Sequence, residues 1–285
     1  MGSPAGAELP APVVSGAWLQ ANLDKVVVAD VRWYLDGRSG RAAYEAGHIP
    51  GAVFVDLDED LSAPPTRSGG RHPLPEPEYF AGAIGGAGIG DGDAVVAYDD
   101  LGGMVAGRLW WMLRVLGESA AVLDGGLDAW PGRLSTEYPE VTAAHFTPRR
   151  WPREAFATME EVDRLRRATG TVVLDARSSE RYAGEPNAID PRFGHIPGAA
   201  SAPCAANLAP DGTLRGPEDL REMYAAAGVD GETEVVAYCG SGVSANLDLL
   251  ALEVAGLGSG RLFVGSWSAW GADADRPVAT GPEPG

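Results

Sequence analysis

The stretch VVAYCGSGVSANLDLLALEVAG, from Val235 to Gly256, joins a short apolar run to a longer apolar run of helical length. A turn rich in glycine and serine separates the two runs, and the second run ends at glycine. This order predicts a buried strand, a tight turn and an α-helix. Cys239, one of two cysteines in the chain, lies at the junction. Because ligands of open α/β sheets bind outside the carboxyl ends of the strands, we expect Cys239 at a functional edge.

The turn after Cys239 predicts a site for an anion. Gly240 and Gly242 allow backbone conformations that other residues resist, so successive N–H groups can point inward. The N-terminus of the following helix adds partial positive charge, and both effects lower the pKa of a thiol. We therefore predict that Cys239 is a reactive thiolate and that Gly240, Gly242, Val243 and Ser244 bind the substrate.

Composition excludes several classes of protein. The chain has 285 residues, is 45% hydrophobic and carries a formal net charge of −18, which favours a globular protein without a nucleic-acid partner. No run approaches the roughly 20 apolar residues of a membrane span, and MGSPAGAELPAPVVSG at the start lacks the features of a signal peptide. We therefore expect no association with a membrane. Two cysteines make no disulfide framework, so we expect the protein in the reducing cytoplasm.

Four ordered pairs of segments indicate a duplication. VVVADVRW pairs with TVVLDARS, GHIPGA occurs twice, VVAYDD pairs with VVAYCG, and VLDGGLDAWP pairs with LFVGSWSAWG. A repeat this long predicts two domains rather than a solenoid. We expect an N-terminal domain at 12–135, a linker at 136–157 and a C-terminal domain at 158–278.

Each copy alternates β-branched runs with helical stretches, which predicts an α/β fold with a mainly parallel sheet covered by helices on both faces. The predicted strands are 26–31, 94–99, 120–125, 171–176, 234–239 and 262–267. Thr158 with Glu161 is typical of a capping box at a helix start. Asp99 stands where the second copy has Cys239, so the first domain is predicted to be catalytically silent.

These motifs together resemble the two-domain rhodanese-type sulfurtransferases, which include thiosulfate and 3-mercaptopyruvate sulfurtransferases. The resemblance implies two tandem rhodanese-like domains, and a Cys239 that accepts a sulfane sulfur from a small anionic donor and becomes a persulfide. The persulfide then passes its sulfur to cyanide or to a thiol acceptor, among which a thioredoxin-like protein is one candidate. No cofactor and no metal ion are implied.

The loop also resembles one branch of the family. Thiosulfate enzymes typically follow the cysteine with arginine and lysine, whereas this chain has Gly240 and Ser241, as in the mercaptopyruvate branch. In that branch the serine acts with an aspartate and a histidine from the first domain. The matching residues are Ser241, Asp58 and His72, which the resemblance implies as catalytic residues that move a proton.

The donor anion needs a cation, and Arg181 matches the arginine that the family uses for it. Arg192 lies nearer the following histidine than the second arginine of the mercaptopyruvate branch does, so thiosulfate stays open as the donor. His48 and His195 recur in both copies and are predicted to be structural. Trp267 and Trp270 are predicted to pack the second domain.

Three other functions remain to be weighed. A persulfide carrier or thiol redox sensor would also use a thiolate, with Cys204 as the candidate resolving cysteine, although its setting predicts a structural residue. A cysteine-dependent phosphatase needs arginine six residues after the cysteine, where this chain has Ala245. The glycine-rich stretch GAIGGAGIGDG does not join a strand to a helix as a dinucleotide loop does.

Overall fold

The computed structural model describes residues 8–285, which form two compact units. The first comprises the chain up to Ala63 with Pro75–Trp151 and Pro210–Thr213, and the second comprises Pro64–Leu74, Pro152–Ala209 and Leu214–Gly285. The main division falls inside the predicted linker. Residues 1–7, which begin the stretch predicted not to be a signal peptide, lie outside the described part. Within residues 8–285 no helix has the length and hydrophobicity needed to cross a membrane.

The first unit contains a five-stranded sheet in the order β1-β5-β4-β2-β3, with every pairing parallel. Buried strand residues such as those of β4 match the unbroken apolar runs in the sequence. The strands are β1 Val13–Val14, β2 Val27–Asp30, β3 Val53–Phe54, β4 Val95–Tyr98 and β5 Ala120–Leu123. The α-helices are α1 Gly16–Ala21, α2 Gly40–Ala46, α3 Pro77–Gly86 and α4 Ala106–Val115, and a 3-10 helix covers Gly126–Ala129.

The second unit contains a four-stranded parallel sheet in the order β7-β6-β8-β9. Its strands are β6 Thr171–Asp175, β7 Ala200–Ser201, β8 Glu234–Tyr238 and β9 Arg261–Leu262. Its α-helices are α5 Met159–Leu165, α6 Ser179–Ala183, α7 Pro217–Ala226, α8 Ala245–Ala255 and α9 Ser266–Trp270, with 3-10 helices at Arg153–Ala155 and Cys204–Asn207. The predicted α/β fold class is confirmed, and so is the capping box of α5, in which Thr158 and Glu161 bond each other's backbone N–H groups.

One predicted strand is largely wrong. In 262–267 only Leu262 belongs to a strand, and α9 begins at Ser266. Ser266 has a φ of 51°, which places its hydroxyl where it accepts a hydrogen bond from the Cys239 N–H at 3.1 Å and donates one to the Phe263 carbonyl. The chain turns here to bond the end of β8 and therefore cannot continue as a strand. Trp267 and Trp270 are fully buried in the core of the second unit.

The two GHIPGA motifs build the same arrangement in each unit. His48 is buried, its Nδ1 lies 2.8 Å from the Tyr44 carbonyl oxygen, and the two rings stack 4.0 Å apart. His195 repeats this with Tyr182, at 2.8 Å and a ring separation of 3.7 Å. These contacts join a helix end to the segment that leads into the next strand, which supports a structural role for both histidines.

Candidate active site

Cys239 follows β8 directly, and α8 begins six residues later at Ala245. Its side chain is 1% exposed. The Trp267 N–H donates to the Cys239 carbonyl at 2.9 Å, and the Ser268 N–H donates to the Gly240 carbonyl at 2.9 Å. The α9 segment therefore fixes the backbone on which the thiol stands.

Hydrogen-bond donors surround the Cys239 sulfur. Burial alone raises the pKa of this thiol, but the Ser244 hydroxyl and the backbone N–H groups of Ser241, Ala245 and Val243 donate to the sulfur and bring its pKa below the ordinary value. The Gly242 N–H lies 3.2 Å from Sγ. The predicted ring of main-chain donors is thus present, and the loop side chain of Ser244 adds to it.

The two loop glycines have different roles. Gly242 has a φ of 78°, and a Cβ there would lie 2.4 Å from the Val264 carbonyl oxygen, so the turn requires glycine. Gly240 has no such φ, and the expectation that it uses a glycine-specific conformation is wrong. Its lack of a side chain instead allows two guanidinium groups to approach the loop closely. Val243 is buried and contributes its N–H rather than its side chain to the thiolate.

Ser241 and His72 are in contact. The Ser241 hydroxyl lies 2.8 Å from His72 Nδ1, and both side chains are buried. His72 lies within Pro64–Leu74, which packs with the second unit although its sequence position is inside the predicted first domain. A hydroxyl and an imidazole at this distance can pass a proton, and Ser241 is two residues from Cys239.

Asp58 lies in the first unit, after β3. Its Oδ2 accepts a hydrogen bond from Trp33 Nε1 at 2.7 Å, and its own backbone N–H donates to Asp56 Oδ1 at 2.8 Å. The catalytic role that the resemblance implies for Asp58 stays a prediction.

Arg181 is held by Asp190. Its Nε lies 2.9 Å and its Nη2 2.5 Å from the two carboxylate oxygens, so the pair is bidentate. Arg192, in contrast, donates to backbone carbonyl groups, and these contacts give it a structural role. Its acceptors are Trp270, Gly271, Asp273 and Arg276.

Arg71 is the residue that sequence analysis missed. Its Nη2 would lie 2.9 Å from a Cβ placed on Gly240, and its charge favours the anionic form of Cys239. Burial lowers the pKa of Arg71. Its position directly before His72 in GGRHPLP could have suggested it, because a neighbour of a proposed catalytic residue approaches the same site.

The corresponding loop of the first unit contains a carboxylate. Asp99 is fully buried and accepts four backbone hydrogen bonds of 2.7–2.9 Å, from Leu101, Gly103, Val105 and Ala106. Complete burial raises the pKa of Asp99 above its ordinary value, and these four donors oppose the rise. The carboxylate fills the space that a substrate anion would need.

Cys204 differs from Cys239 in its surroundings. Both cysteines are free and buried. Burial raises the pKa of Cys204, and although the Ser244 hydroxyl also reaches this sulfur, the thiol stays neutral at ordinary pH.

Within residues 8–285 no group of three or more His, Cys, Asp or Glu side chains is arranged to hold a metal ion.

Comparison with known proteins gives consistent results. A family model described as the rhodanese-like domain matches residues 15–132 and 158–273. A probable 3-mercaptopyruvate sulfurtransferase of Pseudomonas aeruginosa is 41% identical, over 95% of this chain and 99% of its own length. A putative thiosulfate sulfurtransferase, SseB, of Mycobacterium tuberculosis is 39% identical, over 90% of this chain and 92% of its own.

A solved structure extends the similarity. The crystal structure of SseA from Escherichia coli, described with the rhodanese fold and mechanism of 3-mercaptopyruvate sulfotransferases, superposes with a TM-score of 0.78 at 32% identity. The match covers 90% of this chain and 99% of that protein. The fold and the order of both units are therefore shared over nearly the whole length.

Proposed function

This chain belongs to the family of rhodanese-like domains, which it contains in two copies, and we propose that it is a sulfurtransferase. It takes a sulfane sulfur from 3-mercaptopyruvate or thiosulfate onto Cys239 and passes it to cyanide or a thiol. The observation that carries this proposal is the set of donors around the Cys239 sulfur, which lowers the pKa of the thiol inside a buried site. A thiolate is the form that attacks sulfur.

The first half-reaction balances with a thiolate nucleophile. Cys239 Sγ attacks the sulfur of 3-mercaptopyruvate, a sulfur–sulfur bond forms, and the carbon–sulfur bond breaks. The electron pair of that bond goes to the carbon, which leaves as the pyruvate enolate. The proton that the donor thiol loses is the proton that the product methyl group gains, and Cys239 is left as an anionic persulfide. The donors that hold the thiolate suit the persulfide anion equally.

Proton transfer favours 3-mercaptopyruvate over thiosulfate. An enolate must be protonated at carbon, whereas sulfite leaves thiosulfate as a stable anion without a proton. The Ser241 hydroxyl, 2.8 Å from His72 Nδ1, offers a route for this proton. A proton-transfer pair beside the nucleophile is useful for the first donor and unnecessary for the second. For Asp58 we keep the role that the resemblance implies.

The second half-reaction returns the enzyme to its starting state. Cyanide attacks the outer sulfur of the persulfide, a carbon–sulfur bond forms, and the sulfur–sulfur bond breaks with its electrons returning to Cys239. A thiol acceptor, such as that of a thioredoxin-like protein, attacks the same sulfur. Two half-reactions through a covalent intermediate are typical of nucleophilic catalysis. Both cysteines are free, which suits the reducing cytoplasm.

The test is a comparison of kcat/KM for the two donors with cyanide as the common acceptor. We expect 3-mercaptopyruvate to give a value at least about tenfold higher, which corresponds to about 1.4 kcal/mol of transition-state stabilisation. A higher value for thiosulfate would reject the donor assignment. Cys239→Ser should abolish turnover while the matched variant Cys204→Ser retains it, and turnover by Cys239→Ser would reject the mechanism.

A further inference from the structure

Two guanidinium groups lie close against Gly240. A Cβ built on this glycine would lie 2.9 Å from Nη2 of Arg71 and 3.0 Å from Nη2 of Arg181. The two Nη2 atoms beside this point are therefore no more than about 6 Å apart, a separation that one anion can bridge with hydrogen bonds to both groups. Gly240 follows Cys239 directly, so this point adjoins the nucleophile.

The two arginines differ in how their charge is compensated. Arg181 forms a bidentate pair with Asp190. Arg71 forms no ion pair with any residue in the described range 8–285, and its Nη1 donates to the Ile189 carbonyl oxygen at 3.3 Å. A half-buried guanidinium beside another cation is destabilised unless an anion approaches it. A bound donor anion would supply that compensation.

The backbone holds Arg71 in place. Its N–H donates to the Ser268 hydroxyl at 3.1 Å. The preceding Gly70 has a φ of 79°, and a Cβ on it would lie 2.5 Å from the Gly265 carbonyl oxygen. Only glycine allows this close approach to the turn before α9. Arg71 is therefore positioned by the same α9 segment that bonds the backbone of Cys239.

Arg192, whose contribution the sequence left open, is not available to the donor. Arg192 directs its guanidinium to four backbone carbonyl groups of the segment from Trp270 to Arg276. Moving it to a substrate would leave those carbonyl groups without their donor. A second cation for the donor must come from another part of the chain.

We infer that Arg71 is a second substrate-binding residue, which with Arg181 receives the carboxylate or sulfonate of the sulfur donor beside Gly240. This inference rests on the proposed function, because it names a residue that binds the donor of that reaction. The planar fork of arginine suits both anions. Lysine at position 71 would keep the charge and lose the fork.

Alkylation of Cys239 tests the anion site without sulfur transfer. Iodoacetate carries a carboxylate and iodoacetamide does not. The second-order rate constant for iodoacetate divided by that for iodoacetamide therefore reports the attraction of an anion to the site. Because an arginine forms charge-assisted hydrogen bonds to a carboxylate, we expect Arg71→Ala to lower this ratio about tenfold or more. Arg71→Lys should lower it less. Peptide mass spectrometry would assign the alkylated cysteine.

Arg67→Ala is the matched control, because it removes the same charge from an exposed position in the same segment. It should leave the ratio unchanged. Thermal unfolding would establish that Arg71→Ala is folded, and Arg71→Gln would serve if it is not. In steady-state assays we expect Arg71→Ala to raise the KM of the donor about tenfold with a smaller effect on kcat.

The outcomes separate the two proposals. An unchanged alkylation ratio in a folded Arg71 variant, in a protein that transfers sulfur normally, would overturn the role of Arg71 alone. If the wild-type protein transfers no sulfur but the Arg71 variants still lower the alkylation ratio, the proposed function is overturned and the anion site is retained.

Discussion

Replacing Ser244 by alanine tests how the protein keeps Cys239 ionised. The Ser244 hydroxyl donates to the sulfur together with four backbone N–H groups, in a site where Cys239 is 1% exposed. A hydrogen bond to a charged group contributes about 1.5–3 kcal/mol, and we take the lower end because the other donors remain. The thiolate fraction at pH values below the Cys239 pKa should therefore fall about tenfold.

The assay is the pH dependence of the rate at which iodoacetamide alkylates Cys239. Loss of the donor raises the pKa of Cys239, so the Ser244→Ala profile should shift to higher pH. Its plateau at high pH should not fall, because a thiolate of higher pKa is intrinsically more nucleophilic.

Ser241→Ala is the matched control for this experiment. It removes the same hydroxyl group from the same loop, but the Ser241 N–H that donates to the sulfur remains. Its alkylation profile should match that of the wild type, while turnover of 3-mercaptopyruvate should fall because the hydroxyl beside His72 is lost. If Ser244→Ala and the wild type had identical alkylation profiles, the role of the Ser244 hydroxyl as a donor to the Cys239 sulfur would be refuted.

Four further predictions concern other residues of the chain. Gly240→Ala should raise the KM of the donor while the protein stays folded, because its Cβ would displace the two guanidinium groups that lie within 3.0 Å of its position. Gly242→Ala should lower the free energy of unfolding, because Gly242 has a φ of 78° and a Cβ there would lie 2.4 Å from the Val264 carbonyl oxygen. In urea denaturation, Asp99→Ala should destabilise the protein by about 3 kcal/mol or more, because four backbone N–H groups, three of them in buried hydrogen bonds, lose their acceptor. A near-neutral effect would contradict this. Burial raises the pKa of Glu161, but hydrogen bonds from arginines and from the Thr158 N–H lower it to about 2, against an ordinary value of 4.5. The ionised Glu161 therefore stabilises the protein by about 1–2 kcal/mol after allowance for solvent screening, and this contribution is present above pH 4.5 and lost as the pH falls towards 2. In Glu161→Gln the free energy of unfolding should therefore fall less between pH 4.5 and pH 2 than it does in the wild type.

The parts of the fold that sequence predicted are those with local causes. The strand, turn and helix around Cys239 follow from hydrophobic periodicity and glycine placement, and the duplication follows from repeated segments. The strand expected at 262–267 was wrong because its conformation is set by a distant partner, the backbone of Cys239, which Ser266 bonds across 27 positions. Local propensity contains no information about that partner.

The candidate site shows the same limit. The cysteine and its N–H donors were predictable because one continuous loop forms them. The position of Arg71 depends on a segment that packs with the second unit although it precedes that unit in sequence. Arg192 could be placed only once its backbone acceptors were known. Side chains brought together by long-range packing are those that motif spacing missed.

The most direct test of the account is the mass of the Cys239 peptide after incubation with 3-mercaptopyruvate in the absence of an acceptor. We predict the addition of one sulfur atom to Cys239 and none to Cys204, followed by its release as thiocyanate when cyanide is added. Sulfur transfer that proceeds while Cys239 never gains a sulfur atom would contradict the central claim that this thiolate carries the sulfur.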